Sequence, residues 1–284
     1  VLPINNKFLA KGSFDSNWII KRTPNENILN GSIISNEIKI NNKSIGVLNF
    51  EIQGNTRIQS YLLNLEVLKN NKKTLNSLGT IINNSNFPKV DIDLVFNDFD
   101  ISFLSPLGKS ISKIKGKIDG NINLWGELTN IQNSGELKLK ESGFMIPFIN
   151  VDYLIDKDSK INLYRDIFEI LPTKLIDGHI GTSAKILGKF QHKNFRDWKM
   201  DLSIDSKRIL MLNKPNSAEA IFYGKGLLSG EIKMNGSTKN PQLQLIGTTA
   251  PGTIIKIPWK DTKELEETSF ITFIDKKTKV VNIS

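Results

Sequence analysis

Closely spaced carboxylates are the residues of this chain best suited to chemistry. Asp91 and Asp93 are two positions apart, as are Asp98 and Asp100, so each pair lies on one face if the segment is a strand. Paired carboxylates can act in acid–base catalysis or bind calcium. Acidic residues on the polar face of an alternating strand are usually just solvated, and we expect that role here.

Other familiar catalytic and cofactor-binding patterns are incomplete. Residues 108–110 (Gly-Lys-Ser) resemble the end of a phosphate-binding loop, but Phe103 occupies the position of the required first glycine. The chain has no cysteine, which excludes disulfides and thiolate metal sites, and its two histidines are His179 and His192. The sequence therefore predicts that the protein is not an enzyme and has no catalytic residue, metal ligand or cofactor.

Alternation of apolar and polar residues is the dominant pattern, and it predicts strands. Ile outnumbers Ala by 40 to 5, which favours sheets because β-branched side chains fit strands and Ala is the best helix former. The clearest run spans residues 113–128, and similar runs include Val90, Leu137, Trp198 and Leu228. Turn residues separate the runs about every 8–12 positions. We predict a serial antiparallel sheet.

Glycines punctuate this pattern in two ways. Gly116, Gly120 and Gly126 interrupt the apolar row of the clearest run. They fit a sharp bend of the sheet or space for a ligand, and equally well simple bulges or strand ends. In addition, residues 120–130 match residues 230–240 in two Gly, one Ile and one Asn at an offset of 110. Such self-similarity favours an elongated, repeat-built β structure.

Few segments have helical spacing. Residues 103–114 have apolar side chains three and four apart with Pro106 in the first turn, and residues 70–78 show a weaker version. We expect one or two short helices. Because so few helices could cover it, an apolar sheet face must pack against another sheet, close on itself or bury something else.

The net charge of +9 is compatible with a nucleic acid, an anionic membrane or a basic solvated face. Lys113, Lys115 and Lys117 form a basic row, but no aromatic residues are interleaved with them and no Arg-rich helix is predicted. We therefore expect no nucleic-acid partner. The row is expected to be a solvated outer face, with a weak preference for anionic headgroups left open.

A series of short segments resembles the TamB family, in the form found in Bacteroidetes. The similarity is good over about residues 90–274, and before that only the rhythm of the strands agrees. No single segment is catalytic, so the resemblance depends on their order. The segments are residues 134–140, 143–147, 150–153, 193–202, 222–224 and 252–258.

This resemblance implies a fold, a location and partners. TamB is the inner-membrane subunit of the translocation and assembly module and is grouped with the AsmA-like bridge-type lipid-transfer proteins. The family fold is an elongated twisted β-sheet, taco-like or solenoid-like, with an open groove and an apolar interior. The resemblance implies a protein of the periplasm and cell envelope that carries phospholipid to the outer membrane with a TamA-like barrel. An inner-membrane anchor is expected outside this chain.

The chain is expected to be an interior slice of such a groove. Residues 1–88 are a strand-rich part expected to continue the same sheet, and residues 89–284 form the TamB-like segment. The residues expected to line the groove and contact phospholipid acyl chains are those of the apolar rows. They are Ile114, Ile118, Ile122, Leu124, Leu137, Leu139, Trp198, Met200, Leu202, Ile232 and Met234.

Alternation alone leaves other functions open, because a groove and a closed core have the same pattern. Each of these residues could instead pack against the opposite wall and never contact lipid. A second function is a scaffold for outer-membrane protein assembly, in which a sheet edge adds a strand to a client or a partner. A third is a β-solenoid that binds glycans, which has little support because the four Trp are scattered along the chain.

Overall fold

The computed structural model describes residues 9–83, 86–105, 111–157, 159–217, 221–258, 273–275 and 279–281. Eighteen strands form one antiparallel sheet, and two further strands form a separate hairpin, so the predicted all-β fold is confirmed. The strands are β1 (Ala10–Lys11), β2 (Phe14–Arg22), β3 (Asn27–Ser35), β4 (Ile38–Ile40), β5 (Lys43–Asn55), β6 (Ser60–Lys69), β7 (Lys72–Ile82), β8 (Lys89–Asp100), β9 (Ser112–Glu127), β10 (Asn130–Ile146), β11 (Val151–Ile155), β12 (Lys160–Arg165), β13 (Ile167–Asp177), β14 (Ser183–Lys193), β15 (Arg196–Lys214), β16 (Tyr223–Ser237), β17 (Asn240–Thr249), β18 (Ile254–Lys256), β19 (Phe273–Asp275) and β20 (Lys279–Val281).

The sheet is a serial meander, as the spacing of the turn residues predicts. β2 pairs with β3, β3 with β5, and each longer strand then pairs with the next as far as β16. At two places in the meander, two strands together occupy the position of one. β11 and β12 share the place between β10 and β13, and β17 and β18 both pair with β16. The pairing of β7 with β8 continues the sheet across residue 88.

Neither helix expected from the sequence is present as predicted. Asn70 and Asn71 have φ of +52° and +61° and form the two-residue turn between β6 and β7, a geometry typical of tight hairpins. The residues that follow belong to β7. In the other segment, Ser102–Leu104 is a single 3₁₀ turn, β9 begins at Ser112, and residues 106–110 lie outside the described part. In residues 70–78, strand pairing and turn chemistry override weak helical spacing.

The sequence repeat corresponds to a repeated structural unit. Glu127 pairs with Asn130 and Ser237 pairs with Asn240, so each copy is the end of a long strand, a two-residue turn and the start of the next strand. Gly126 and Gly236 directly precede Glu127 and Ser237, and they have positive φ values of +108° and +97°. The same local sequence therefore makes the same hairpin end twice.

A line of irregular pairing, which we call the crease, crosses the long strands. Register shifts occur at neighbouring positions on successive strands, and such bulges bend and twist a sheet. Buried hydroxyls bond to the backbone groups that the ladder leaves unpaired there: the Ser206 Oγ donates to the Ser183 carbonyl at 2.7 Å and accepts from the Arg208 N–H at 2.9 Å. The other residues of this kind are Ser35, Thr74, Ser142, Ser159 and Thr173.

The sheet also curls around its shorter hairpins, so that strands which are not neighbours touch. Beyond the turn between β13 and β14, the Tyr153 hydroxyl of β11 donates to the Leu210 carbonyl of β15 at 2.7 Å. At the opposite end, beyond the turn between β12 and β13, the Ile131 N–H of β10 donates to the Asn194 side chain at 3.2 Å. The concave side of this curled sheet holds the apolar core.

Candidate functional site

One face of the sheet, which we call the inner face, presents an apolar row that crosses the whole meander from β2 to β17. Each member is the cross-strand partner of the next, and no member is charged. This row, the long row, is therefore a continuous track perpendicular to the strands. Its members are Ser16, Ile33, Phe50, Leu65, Ser77, Leu94, Ile122, Gly135, Leu163, Phe168, Phe190, Met200, Gly236 and Pro241.

The residues predicted to line a groove come together in this face but differ in exposure. Ile118, Ile122, Leu137, Leu202 and Ile232 are buried. The others, Ile114, Leu124, Leu139, Trp198, Met200 and Met234, are half-buried. Their contact with lipid stays a prediction.

The buried residues belong to two apolar clusters. The smaller cluster is built on β9, β10 and β12, with Ile118, Ile122, Leu137 and Leu163 at its centre. The larger cluster spans β11 to β16 and includes Ile209 and Leu210, which are 1% and 0% exposed. In both clusters the curled sheet packs against itself, so much of its apolar surface is a core.

The first eight strands leave the inner face more open. Among the described residues before Ser112, Val67 and Val90 are the only fully buried apolar side chains apart from glycine. In this part of the long row the apolar members Ile33, Phe50, Leu65 and Leu94 are half-buried, whereas Ser16 is exposed and Ser77 is buried. The sequence analysis named no individual groove residues in this open region, although the same alternation runs through it.

Glycines in the inner face serve the backbone. Gly120 has a φ of +135°, and a Cβ at this position would overlap the carbonyl oxygen of Glu136 on the neighbouring strand. Gly120 lies well inside β9 opposite Leu137, so it marks neither a strand end nor an opening for a ligand. It allows strong local coiling of the sheet.

An aromatic cluster encloses a buried polar pair at one end of the inner face. His192 is 3% exposed, stacks on Phe195 at 4.3 Å between ring centroids, and also contacts Phe168 and Trp198. Its Nδ1 accepts from the Phe195 N–H at 3.0 Å, and its Nε2 lies 3.1 Å from the Asn133 amide nitrogen. Burial holds the pKa of His192 below its ordinary value, so the imidazole is neutral near pH 7.

The carboxylates that the sequence offered for chemistry lie on the outer face. The Asn123 amide donates to Asp91 at 2.8 Å and to Asp93 at 2.9 Å. The Lys140 ammonium contacts Asp98 at 2.8 Å and also Asp119, and its hydrogen bond holds the pKa of Asp98 below the ordinary range. These groups make cross-strand polar contacts, and no cluster of three or more potential metal ligands occurs within the part of the chain described.

Comparisons with known proteins identify the C-terminal part of the chain. The family model for the TamB C-terminal domain matches residues 175–283. No curated protein and no solved structure matches. Among the described residues, no helix is long and apolar enough to cross a membrane.

The match confirms the resemblance over residues 175–283, whereas the Bacteroidetes form, the interior position and the division at residue 88 stay predictions. The TamB family is linked to envelope-spanning transport or assembly, is associated with the cell envelope and is not known as enzymatic. Residues 175–283 are therefore similar to the TamB C-terminal domain, and the curled antiparallel sheet continues through the strands before them.

Proposed function

We propose that the chain is a segment of an envelope-spanning, bridge-type lipid transporter in the periplasm. Phospholipid acyl chains lie along the inner face while their headgroups stay in water. The observation that supports this most is the long row, an uncharged track that crosses the sheet from β2 to β17 and is only half-buried over its first strands. An apolar face of this length that is left uncovered is typical of a binding surface.

The energetics suit passage along a track better than storage in a pocket. Each methylene removed from water contributes about 0.8 kcal/mol, so an acyl chain is held by many equal, small contacts. Half-buried Leu, Ile and Phe side chains can supply such contacts without one deep well at which a lipid would stall. No acid–base or metal chemistry is needed.

Paired substitutions on β6 test this proposal. Leu65 is half-buried in the long row, and Leu62, on the outer face of the same strand, is 46% exposed. We expect phospholipid to co-purify with the protein, to be detected by native mass spectrometry and lipid extraction, and to be lost on Leu65→Asp. Leu62→Asp, the matched control, should retain it.

Circular dichroism establishes that both variants keep the sheet, and Leu65→Ser replaces Leu65→Asp if the latter does not fold. A folded wild-type protein free of lipid, or a folded Leu65 variant that retains it, would contradict the proposal.

A second candidate is a scaffold for outer-membrane protein assembly, working through strand addition to a TamA-like barrel. It is favoured by β17, in which every residue is exposed and which pairs with β16 alone among the described strands. An unpaired edge of this kind is a template for another strand. Photo-crosslinking separates the two functions: products from outward-facing positions of β17, such as Gln244, favour the scaffold, and products from Leu65 favour the lipid track.

A further inference from the structure

An open cavity of about 510 Å³ lies where β15, β16 and β18 end, next to the turn between β10 and β11. Three lysines line it, Lys214, Lys225 and Lys256, together with the amide side chains Asn150 and Asn213. No carboxylate is among its described lining residues, and none of the three lysines forms an ion pair with a described residue. Within the described part of the chain, the cavity is therefore a concentration of positive charge.

Strand register explains why two of the three lysines converge, whereas Lys214, the partner of Gly224, reaches the cavity from the end of β15. Lys225 is the cross-strand partner of both Asn213 and Ile254, and Lys256 is the partner of Tyr223. Partners directly opposite each other share a face, as do residues two apart on one strand. Lys225 and Lys256 thus lie diagonally on one face, although 31 positions separate them in the sequence.

The third lysine is held by aromatic rings. The Lys214 ammonium lies 5.4 Å from the ring centroid of Phe148 and 5.0 Å from that of Phe222, and the two rings contact each other edge to face. Cation–π contacts of this kind fix the position of the charge. Because ring faces do not neutralise an ammonium, Lys214 can still bind an anion.

Large apolar side chains that contact the lysines, line the cavity or adjoin these residues in sequence are exposed to solvent. Phe148 is 54% exposed, Ile254 62% and Ile257 77%, and Ile221, next to Phe222, is 59% exposed. Lysines beside exposed aromatic and aliphatic residues are typical of surfaces that enter the headgroup region of a membrane. A site for free phosphate or nucleic acid would not need this apolar rim.

We propose that this cavity and its rim bind the phosphate of an anionic phospholipid at a membrane surface. Lys214, Lys225 and Lys256 contact the phosphate, and Phe148 and Ile257 enter the acyl region beside it. The inference rests on the proposed function in one respect, since a lipid track needs a place where lipid enters or leaves. Binding to a membrane surface is nevertheless measurable without transport.

Vesicle co-sedimentation of the whole chain tests the proposal. We expect binding to phosphatidylcholine vesicles that contain phosphatidylglycerol and little binding to pure phosphatidylcholine. A lysine near an anionic surface contributes about 1 kcal/mol, which is about a fivefold change in affinity, so the triple variant K214Q/K225Q/K256Q should bind about a hundredfold more weakly. The control K185Q/K189Q/K199Q removes the same charge from exposed outer-face lysines and should bind nearly as the wild type.

Equal losses of vesicle binding in the two triple variants would overturn the proposed site, because net charge alone would then explain binding.

The double variant F148S/I257S tests whether the bound phosphate belongs to a lipid headgroup or is free phosphate. Weaker vesicle binding in this variant supports the lipid, whereas unchanged binding together with displacement of vesicles by millimolar inorganic phosphate overturns it. Leu65→Asp should lose co-purified lipid and keep vesicle binding, so failure of the track and failure of this site give different results.

Discussion

Residues 9–105 and residues 111–256 are built from the same alternating strands, yet only the second part closes into a core. The inner face of the first part is mostly half-buried, whereas the buried residues of both apolar clusters lie in the second part. Composition does not explain the difference, because Leu, Ile and Phe occupy the inner face in both parts. In the second part, strands that are not neighbours touch beyond short hairpins, as at Tyr153 and Leu210. Contact between strands that are not neighbours thus accompanies the closed core of the second part.

The largest expected effect is on the free energy of unfolding, and it appears when a leucine of each part is replaced by alanine. Leu210→Ala removes a side chain that is 0% exposed, and such changes cost about 3–5 kcal/mol. Leu65→Ala removes a half-buried side chain and should cost about 1–2 kcal/mol, since less apolar area is lost from the folded state. Urea unfolding gives both values, and equal costs would show that the two parts are closed to the same degree.

A smaller effect is expected at the crease. Ser206→Ala removes the hydroxyl that bonds to the Ser183 carbonyl and the Arg208 N–H, and leaving such buried groups unpaired costs about 1–3 kcal/mol. Ser203 is on the same strand but bonds to the Glu231 side chain at the surface, so Ser203→Ala should change the free energy of unfolding by less than about 0.5 kcal/mol. Similar values for the two variants would mean that the crease hydroxyls are not needed for the bend.

The smallest expected effect is a dependence of the free energy of unfolding on pH, which arises from a histidine in residues 111–256. Because the pKa of His192 is lower in the folded protein, the unfolded chain binds the proton more readily. The free energy of unfolding should therefore fall as the pH drops below the ordinary histidine pKa of 6.5 towards the lower folded value. His192→Gln should flatten this slope between pH 7 and 5, and His179→Gln, which changes a more exposed histidine, should not.

The sequence was sufficient to predict the sheet and its inner face, because side-chain direction in a strand depends only on the two-residue period. It could not predict which inner residues would be buried: Ile122 and Leu124 are alike in sequence, but only Ile122 lies in the centre of a cluster. It also misassigned residues 70–78, where a turn at Asn70 and Asn71 decided the structure. The lysine cavity was missed because its residues are distant in sequence and meet only through the register of β15, β16 and β18.

The hairpin end that occurs both after β9 and after β16 has a consequence for evolution. Because each strand contacts mainly the strands beside it, one more hairpin adds about 10 Å to the track without disturbing the packing already present. Duplication of such a unit changes the length of the protein in fixed steps while keeping its cross-section constant. In the transporter proposed above, copying short stretches of the gene would thus match the length of the meander to the distance between two membranes.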